Sequence, residues 1–298
     1  MRNVKIKSLF VALILLLGIS SPSIQAQPKF NKGEKAKAIA EKLAERKNDI
    51  QTQVSSIDPA EVEAQVEAKF EEILAMVEEV SANLHAKAAD YVANNCADVT
   101  HSESTKTVLI DFGSTPCVGS DGRTRSGSLS IQYIGSERES NQLINVTFDD
   151  YFSNGYGVDG SIQYKSIGRD SEGHLNFAVT VNSGTITQPD GKTATFVAQL
   201  TKAWVNGENT ENPLDDVFET TGTTSGKLFD GTTFQTTTTI PLRYKLACLS
   251  TGSVYAVSGI RTMTTGGGDT YIVNYGAGMC DKKVTVTVNG VPQTVTLP

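Results

Sequence analysis

From Thr107 to the C-terminus, apolar residues recur at every second position, and Asn-Gly or Asp-Gly steps cut that pattern into short runs. Val108, Ile110 and Phe112 form the first run, followed by Leu129, Ile131 and Tyr133, then Ile144, Val146 and Phe148, then Leu175, Phe177, Val179 and Val181. Later runs cover 196–204, 234–244, 254–260, 271–275, 284–288 and 291–297. A period of two sends successive side chains to opposite faces, so the pattern predicts about ten strands, each with one apolar face. The polar alternates Gln235, Thr237, Thr239 and Arg243 predict that part of the other face is wet.

Seven Asn-Gly or Asp-Gly steps begin at Asp121, Asn154, Asp159, Asp190, Asn206, Asp230 and Asn289. They supply the positive φ angles of tight hairpin turns, and strands joined by such turns are antiparallel. The expected fold is mainly β: an antiparallel, meander-type sheet, either sandwich or half-barrel, occupying residues 96–298.

The segment before it follows another period. Residues 34–95 hold no Gly and one Pro, and are rich in Ala, Glu, Lys and Leu, which is helix composition. Asp58-Pro59-Ala60-Glu61 offers an N-cap carboxylate, Pro at the first helical position and Glu at N3. Val66, Phe70, Ile73, Val77, Val80 and Leu84 then fall on one stripe. A preceding helix over 34–54, with Ile39, Leu43 and Ile50, is expected to cover that stripe. Its Lys35, Lys37, Lys42, Arg46 and Lys47 would face Glu61, Glu63, Glu67, Glu71, Glu72, Glu78 and Glu79. Residues 27–95 are therefore read as a helical hairpin or a coiled-coil-like segment, with self-association through 33–95 as the functional alternative to packing on the chain itself.

Arg2, Lys5 and Lys7, an apolar run from Leu9 to Leu17 and small residues ending at Ala26 have the order of a secretory signal, so 1–26 are expected to be cleaved. That run is shorter than the roughly 20 residues a spanning helix needs, and no other replaces it, so no transmembrane segment is expected. Removing three basic residues takes the formal net charge from −7 to −10, which argues against nucleic acid as a partner. Cys96, Cys117, Cys248 and Cys280 are an even set in an oxidising compartment. Of the three pairings four cysteines allow, the near pairs Cys96–Cys117 and Cys248–Cys280 are favoured. No Cys lies near the cleavage point, so the product is read as exported, periplasmic or extracellular, and not lipid-anchored.

The usual catalytic patterns are missing. Gly155-Tyr-Gly157-Val-Asp-Gly160 matches a dinucleotide string, but a strand pattern rather than a helix follows it. His101 and Glu103 lack the second Cys of a zinc deaminase, and the three histidines are scattered. The remaining polar constellations are Asp149-Asp150-Tyr151-Phe152 and Asp215-Asp216-Val217-Phe218. Paired carboxylates in loops are hard donors of the kind calcium takes, although Asp is also an ordinary turn residue. Trp204 with Tyr151, Phe152, Tyr156 and Tyr164 could stack on a sugar ring or simply fill the core. No cofactor and no metal is expected.

Thr107-Val-Leu-Ile-Asp-Phe-Gly113 with Cys117, Asp121-Gly-Arg-Thr-Arg-Ser-Gly127, Asn274-Tyr-Gly276 with Gly278-Met-Cys-Asp281, and Val284-Thr-Val-Thr-Val-Asn-Gly290 resemble a family of exported and lipid-anchored envelope proteins of Bacteroidota. The resemblance covers roughly 96–298 and implies a β architecture and an envelope location. It also matches Cys117 and Cys280 to cysteines of the family, and carries no catalytic residue across. Many relatives begin with a lipidated Cys, which this chain lacks. The resulting expectation is a non-catalytic envelope binding protein presenting its sheet or loops to a glycan, a peptide or another envelope protein. The alternatives are an assembly component pairing through its helices, and a carboxylate-dependent hydrolase of envelope polymers.

Overall fold

A strand with one apolar face needs a cover for it, and the cover in this chain is the helix that precedes the strands. The computed structural model describes residues 59–82, 96–119, 122–135, 142–210 and 212–297. Helix α1 (Pro59–Ala82) begins at the proline, with Glu61 in its first turn, as the capping pattern predicts. The expected helix over 34–54, the signal segment and Asp58 lie outside the described residues.

The strands that follow are β1 (Asp98–Ser102), β2 (Thr107–Asp111), β3 (Cys117–Val118), β4 (Thr124–Ile134), β5 (Leu143–Ser153), β6 (Tyr156–Asp159), β7 (Ser161–Arg169) and β8 (Leu175–Thr187). β9 (Thr193–Asn206), β10 (Val217–Lys227), β11 (Thr233–Lys245), β12 (Ser258–Thr265), β13 (Thr270–Ala277), β14 (Lys283–Val288) and β15 (Val291–Thr296) complete one fifteen-stranded sheet. The described strand pairs are antiparallel, and the path runs from β1 to β15 mostly in chain order. The fold is mainly β, as expected. It has more strands than the alternating runs suggest: β1, β3 and β6 are too short to show a period, β10 is largely Thr, Ser and Gly, and β7 follows Gly160 as a further strand.

Turn chemistry fixes the hairpins at two places in particular. Asn154-Gly155 and Asn289-Gly290 sit at φ 51° and 80°, and 51° and 82°, closing Ser153 onto Tyr156 and Val288 onto Val291. Asp159-Gly160 departs from the hairpin expectation. It joins β6 to β7 as successive pieces of one lane between β5 and β8, and a Cβ on Gly160 would lie 2.5 Å from the Ser183 carbonyl oxygen. The glycine there allows close approach rather than reversal.

The sheet wraps the helix. Seven steps of about 4.8 Å separate β4 from β12, so a flat sheet would place them roughly 34 Å apart. Yet Glu72 of α1 bonds to Arg125 of β4, and Glu63, on the same helix, to Arg261 of β12. The two glutamates are nine residues, about 14 Å, apart along a rod about 10–12 Å across, well short of that separation, which fits a sheet that curls around the helix as in a half-barrel. The Arg123 Nη2 donating to the Gly252 carbonyl at 3.1 Å shows the two flanks meeting. Helix and sheet accordingly fall in one compact unit, Asp49–Pro298.

Val66, Phe70, Ile73, Leu74, Met76 and Val77 are each at most 2% exposed inside this wrap. At about 1.5–3 kcal/mol per buried side chain, the stripe contributes on the order of 10–15 kcal/mol, comparable with the net stability of a whole domain. Phe70 stacks on Phe196 with ring centroids 4.8 Å apart, above Gly184, where a Cβ would come within 2.5 Å of the Phe70 ring.

The four cysteines form Cys96–Cys117 and Cys248–Cys280, the near pairs, with Cα atoms 5.7 and 5.4 Å apart. Closing loops of 21 and 32 residues, each contributes roughly 3–4 kcal/mol in the chain-entropy view.

Candidate functional site

Enclosure buries most of α1, leaving Glu61, Val62, Gln65 and Lys69 partly exposed, so the glutamates on its buried sides find partners inside the sheet. Glu63, Glu67, Glu71 and Glu72 are buried, which differs from the exposed charge face expected opposite a lysine-rich helix. Arg261 meets Glu63 at 2.5 Å and also contacts Glu67; Lys202 lies 3.6 Å from Glu71; Arg125 Nη2 lies 2.7 Å from Glu72, with Arg123 at 3.4 Å. Thr224 and Thr236 each donate to Glu63 Oε1 at 3.3 Å, and the Ser153 hydroxyl bonds Glu72 at 2.9 Å. Aromatic faces back the cations: Lys202 lies 4.7 Å from the Phe218 ring and Arg261 5.4 Å from Tyr275.

The carboxyls respond differently. Burial pushes Glu63 and Glu71 above the ordinary carboxylate range, against the pull of Arg261 and Lys202. Burial acts on Glu72 in the same sense, but Arg125, Lys69, Arg123 and the Ser153 hydroxyl together outweigh it and hold that carboxyl low. Beside Glu71 and Lys202 a cavity of about 20 Å³, bordered by Tyr244 and Tyr255, has room for a single water rather than a substrate. The ladder signals itself in the sequence as Arg125, Lys202 and Arg261 at inward positions of β4, β9 and β12, and as glutamates at i, i+4 and i+8 of the helix.

A roomier site lies outside. A groove of about 290 Å³ runs along β13, β14 and β15, bordered by Asn274, Met279, Asp281, Lys283, Thr285 and Thr294. Its wall is the 276–283 segment, made of the end of β13, the loop after it and the first residue of β14, which several contacts fix. Asn274 Oδ1 accepts the Gly276 N–H at 2.8 Å, Lys245 Nζ donates to the Gly278 carbonyl at 2.9 Å, and Asp281 Oδ1 accepts the Lys283 N–H at 3.1 Å. The Cys248–Cys280 disulfide ties the same loop to the turn after β11. On this fixed wall Met279 stands 69% exposed, next to carboxylate, ammonium, amide and hydroxyl groups of both hydrogen-bonding senses.

The sequence-predicted site residues are dispersed. Asp149 and Asp150 are exposed, but within β5 at a β-bulge rather than in a loop, with Asp150 at φ 47°. The bulge tightens the strand crossing, since a Cβ on Gly127 would collide with the Asp150 carbonyl. Tyr151 is buried between Phe112 and Phe148, and its hydroxyl lies 3.5 Å from Glu72. Trp204 is buried against Phe218, and its indole N–H donates to Asp216 Oδ1 at 3.1 Å; Asp215 ends a short 3-10 turn and accepts from Thr210. Tyr164 stacks on Phe177, leaving only Phe152 of the aromatic set exposed and Tyr156 half-buried. His101 bonds the Tyr133 hydroxyl at 2.5 Å, with Glu103 3.6 Å away. Among the described residues no group of three or more His, Cys, Asp or Glu is arranged to hold a metal ion, and no helix is long and apolar enough to cross a membrane.

Comparison with family models, with curated proteins and with solved structures gave no match to this chain.

Proposed function

We propose that this chain is a non-catalytic, exported binding protein of the cell envelope that takes a glycan or peptide segment in the groove along β13–β15. The observation that carries the reading is the 276–283 segment, held by a disulfide and three side-chain hydrogen bonds while presenting Met279, Asp281 and Lys283 outward. A pre-set wall of this kind lowers the ordering cost of binding. The signal-like residues 1–26 and the two disulfides support export, and the resemblance to envelope proteins supports the location.

The oxidised full chain, screened on a glycan array and a peptide array, is expected to bind at micromolar protein concentration. Asp281→Asn and Lys283→Gln are each expected to weaken the retained ligand about tenfold, the effect of losing one charged hydrogen bond. Empty arrays, or a ligand indifferent to both substitutions, would reject this site.

A further inference from the structure

β15 is the last strand on the hydrogen-bonded path, and among the described residues it pairs with β14 alone. Its two-residue turn makes Val288 and Val291 a pair that exchanges both backbone bonds, and such pairs alternate along an antiparallel ladder. Val291, Gln293 and Val295 are thus bonded to β14, and Leu297 continues the series by donating its N–H to the Lys282 carbonyl at 2.9 Å. Pro292, Thr294 and Thr296 turn their backbone groups the other way, toward the open edge. Pro292 stands where a missing N–H costs the ladder nothing. Thr294 and Thr296 keep outward N–H and carbonyl groups.

Natural edges are blunted by charges, bulges or proline, yet from Val291 to Thr296 this one has a single proline near its start and no charged residue. Val291 to Thr294 are exposed on both faces. Thr294 also borders the groove, in register with Thr285 and, through it, with Asn274. Thr296 is in register with Lys283, so a residue added opposite Thr296 extends a row that starts with a cation. A second copy is the poorer occupant. Two such edges paired antiparallel bring two prolines to one ladder, and copies with a formal net charge of −7 repel.

We infer that β15 receives an extended peptide of another protein as an added strand, its main chain bonded to Thr294 and Thr296 and a carboxylate side chain turned toward Lys283. The inference rests on the groove reading and names its ligand class, peptide rather than glycan, with main-chain bonds supplying affinity.

The probe is a fluorescein-labelled Ser-Glu-Val-Thr-Val-Ser peptide, which sets Glu opposite Thr296 and Thr opposite Thr294 when it pairs antiparallel. Bound to the oxidised full chain, it is expected to slow amide exchange at Thr294 and Thr296, seen by NMR, and to leave Val295 unchanged. Methylating the Glu and Thr nitrogens, which face β15, should weaken binding about tenfold or more, whereas methylating both Val nitrogens, which face away, should change it by less than about twofold. Thr296→Pro should act like the first, and Thr296→Val, which keeps the N–H, like the second. If Thr296→Pro fails to fold, the methylated probes on the native chain decide alone. Equal effects of the two methylated probes overturn strand addition, and with an array ligand that still needs Asp281 and Lys283 they leave the groove reading standing. A silent probe with empty arrays overturns both. Dimers that the probe disperses would make a second copy the occupant and also overturn the inference.

Discussion

Arg261 of β12 and Glu63 of α1 meet at 2.5 Å with side chains 1% and 0% exposed, so one end of the helix is fixed by a charge pair sealed from water. Removing the cation alone leaves Glu63 and Glu67 facing an apolar interior. Arg261→Ala should therefore cost about 3–5 kcal/mol in denaturant unfolding. Replacing the group together, with Arg261→Met, Glu63→Leu and Glu67→Leu, should restore native stability or exceed it by about 1–4 kcal/mol. A mild loss for the single substitution would show that the pair is not sealed.

The ladder should respond to acid in two opposite senses. Glu72 titrates below its unfolded value near 4.3, so its contribution is present above that pH and disappears as pH falls through its lower folded value. Glu63 and Glu71 titrate above it, so their contribution is complete below about 4.3 and is lost as pH rises through their folded values. Unfolding free energies measured across pH should thus show the native advantage over Glu72→Gln shrinking on acidification. The advantage over Glu71→Gln should grow. Parallel curves would contradict the assignment.

At Gly184 the space for a side chain is already taken. A Cβ would stand 2.5 Å from the Phe70 ring and 2.9 Å from both the Phe196 carbonyl oxygen and a Val181 methyl. Gly184→Ala is expected to destabilise by about 1–3 kcal/mol through overpacking. Phe70→Leu in the same chain should recover part of that loss if the ring is the main obstacle.

Lys69 should lose its proton at a lower pH than an ordinary lysine. Burial first, and then the Arg123 and Arg125 charges, lower its amine below the ordinary lysine value despite Glu72, while it donates to the Ser153 carbonyl at 3.4 Å. Competitive acylation followed by mass spectrometry over a pH series should place its midpoint below about 10.4, the exposed-lysine value. Arg123→Gln should move that midpoint upward.

Alternation made most of the sheet legible because inward positions such as Ile144, Val146, Phe177 and Val179 are apolar and their neighbours are not. The stripe Val66, Phe70, Ile73 and Val77 was equally legible as a buried face, and so was the start of the helix at Pro59. What covers that stripe was not, since a helical stripe says only that something apolar faces it. Periodicity could not show that the opposite side is covered too, which turns Glu63, Glu67, Glu71 and Glu72 from surface residues into core ones. Composition points the same way for Asp149 and Asp150: it marks a turn, whereas pairing with β4 makes a bulge inside β5. The groove was hidden because Asn274, Asp281 and Lys283 become neighbours through the register of β13 with β14.

The helix that the sheet encloses is made before every strand that covers it. Glu63 is bonded to Thr224 and Thr236, 161 and 173 residues further along. Synthesis at about 5–20 residues per second therefore leaves its carboxylates without these partners for roughly ten seconds or more. During that interval the acids keep the early helix hydrated and soluble, and contacts this distant in sequence make the final closure slow. The order of elements thus acts as a clock: the interior cannot be completed until β12 delivers Arg261 to a helix made before the first strand.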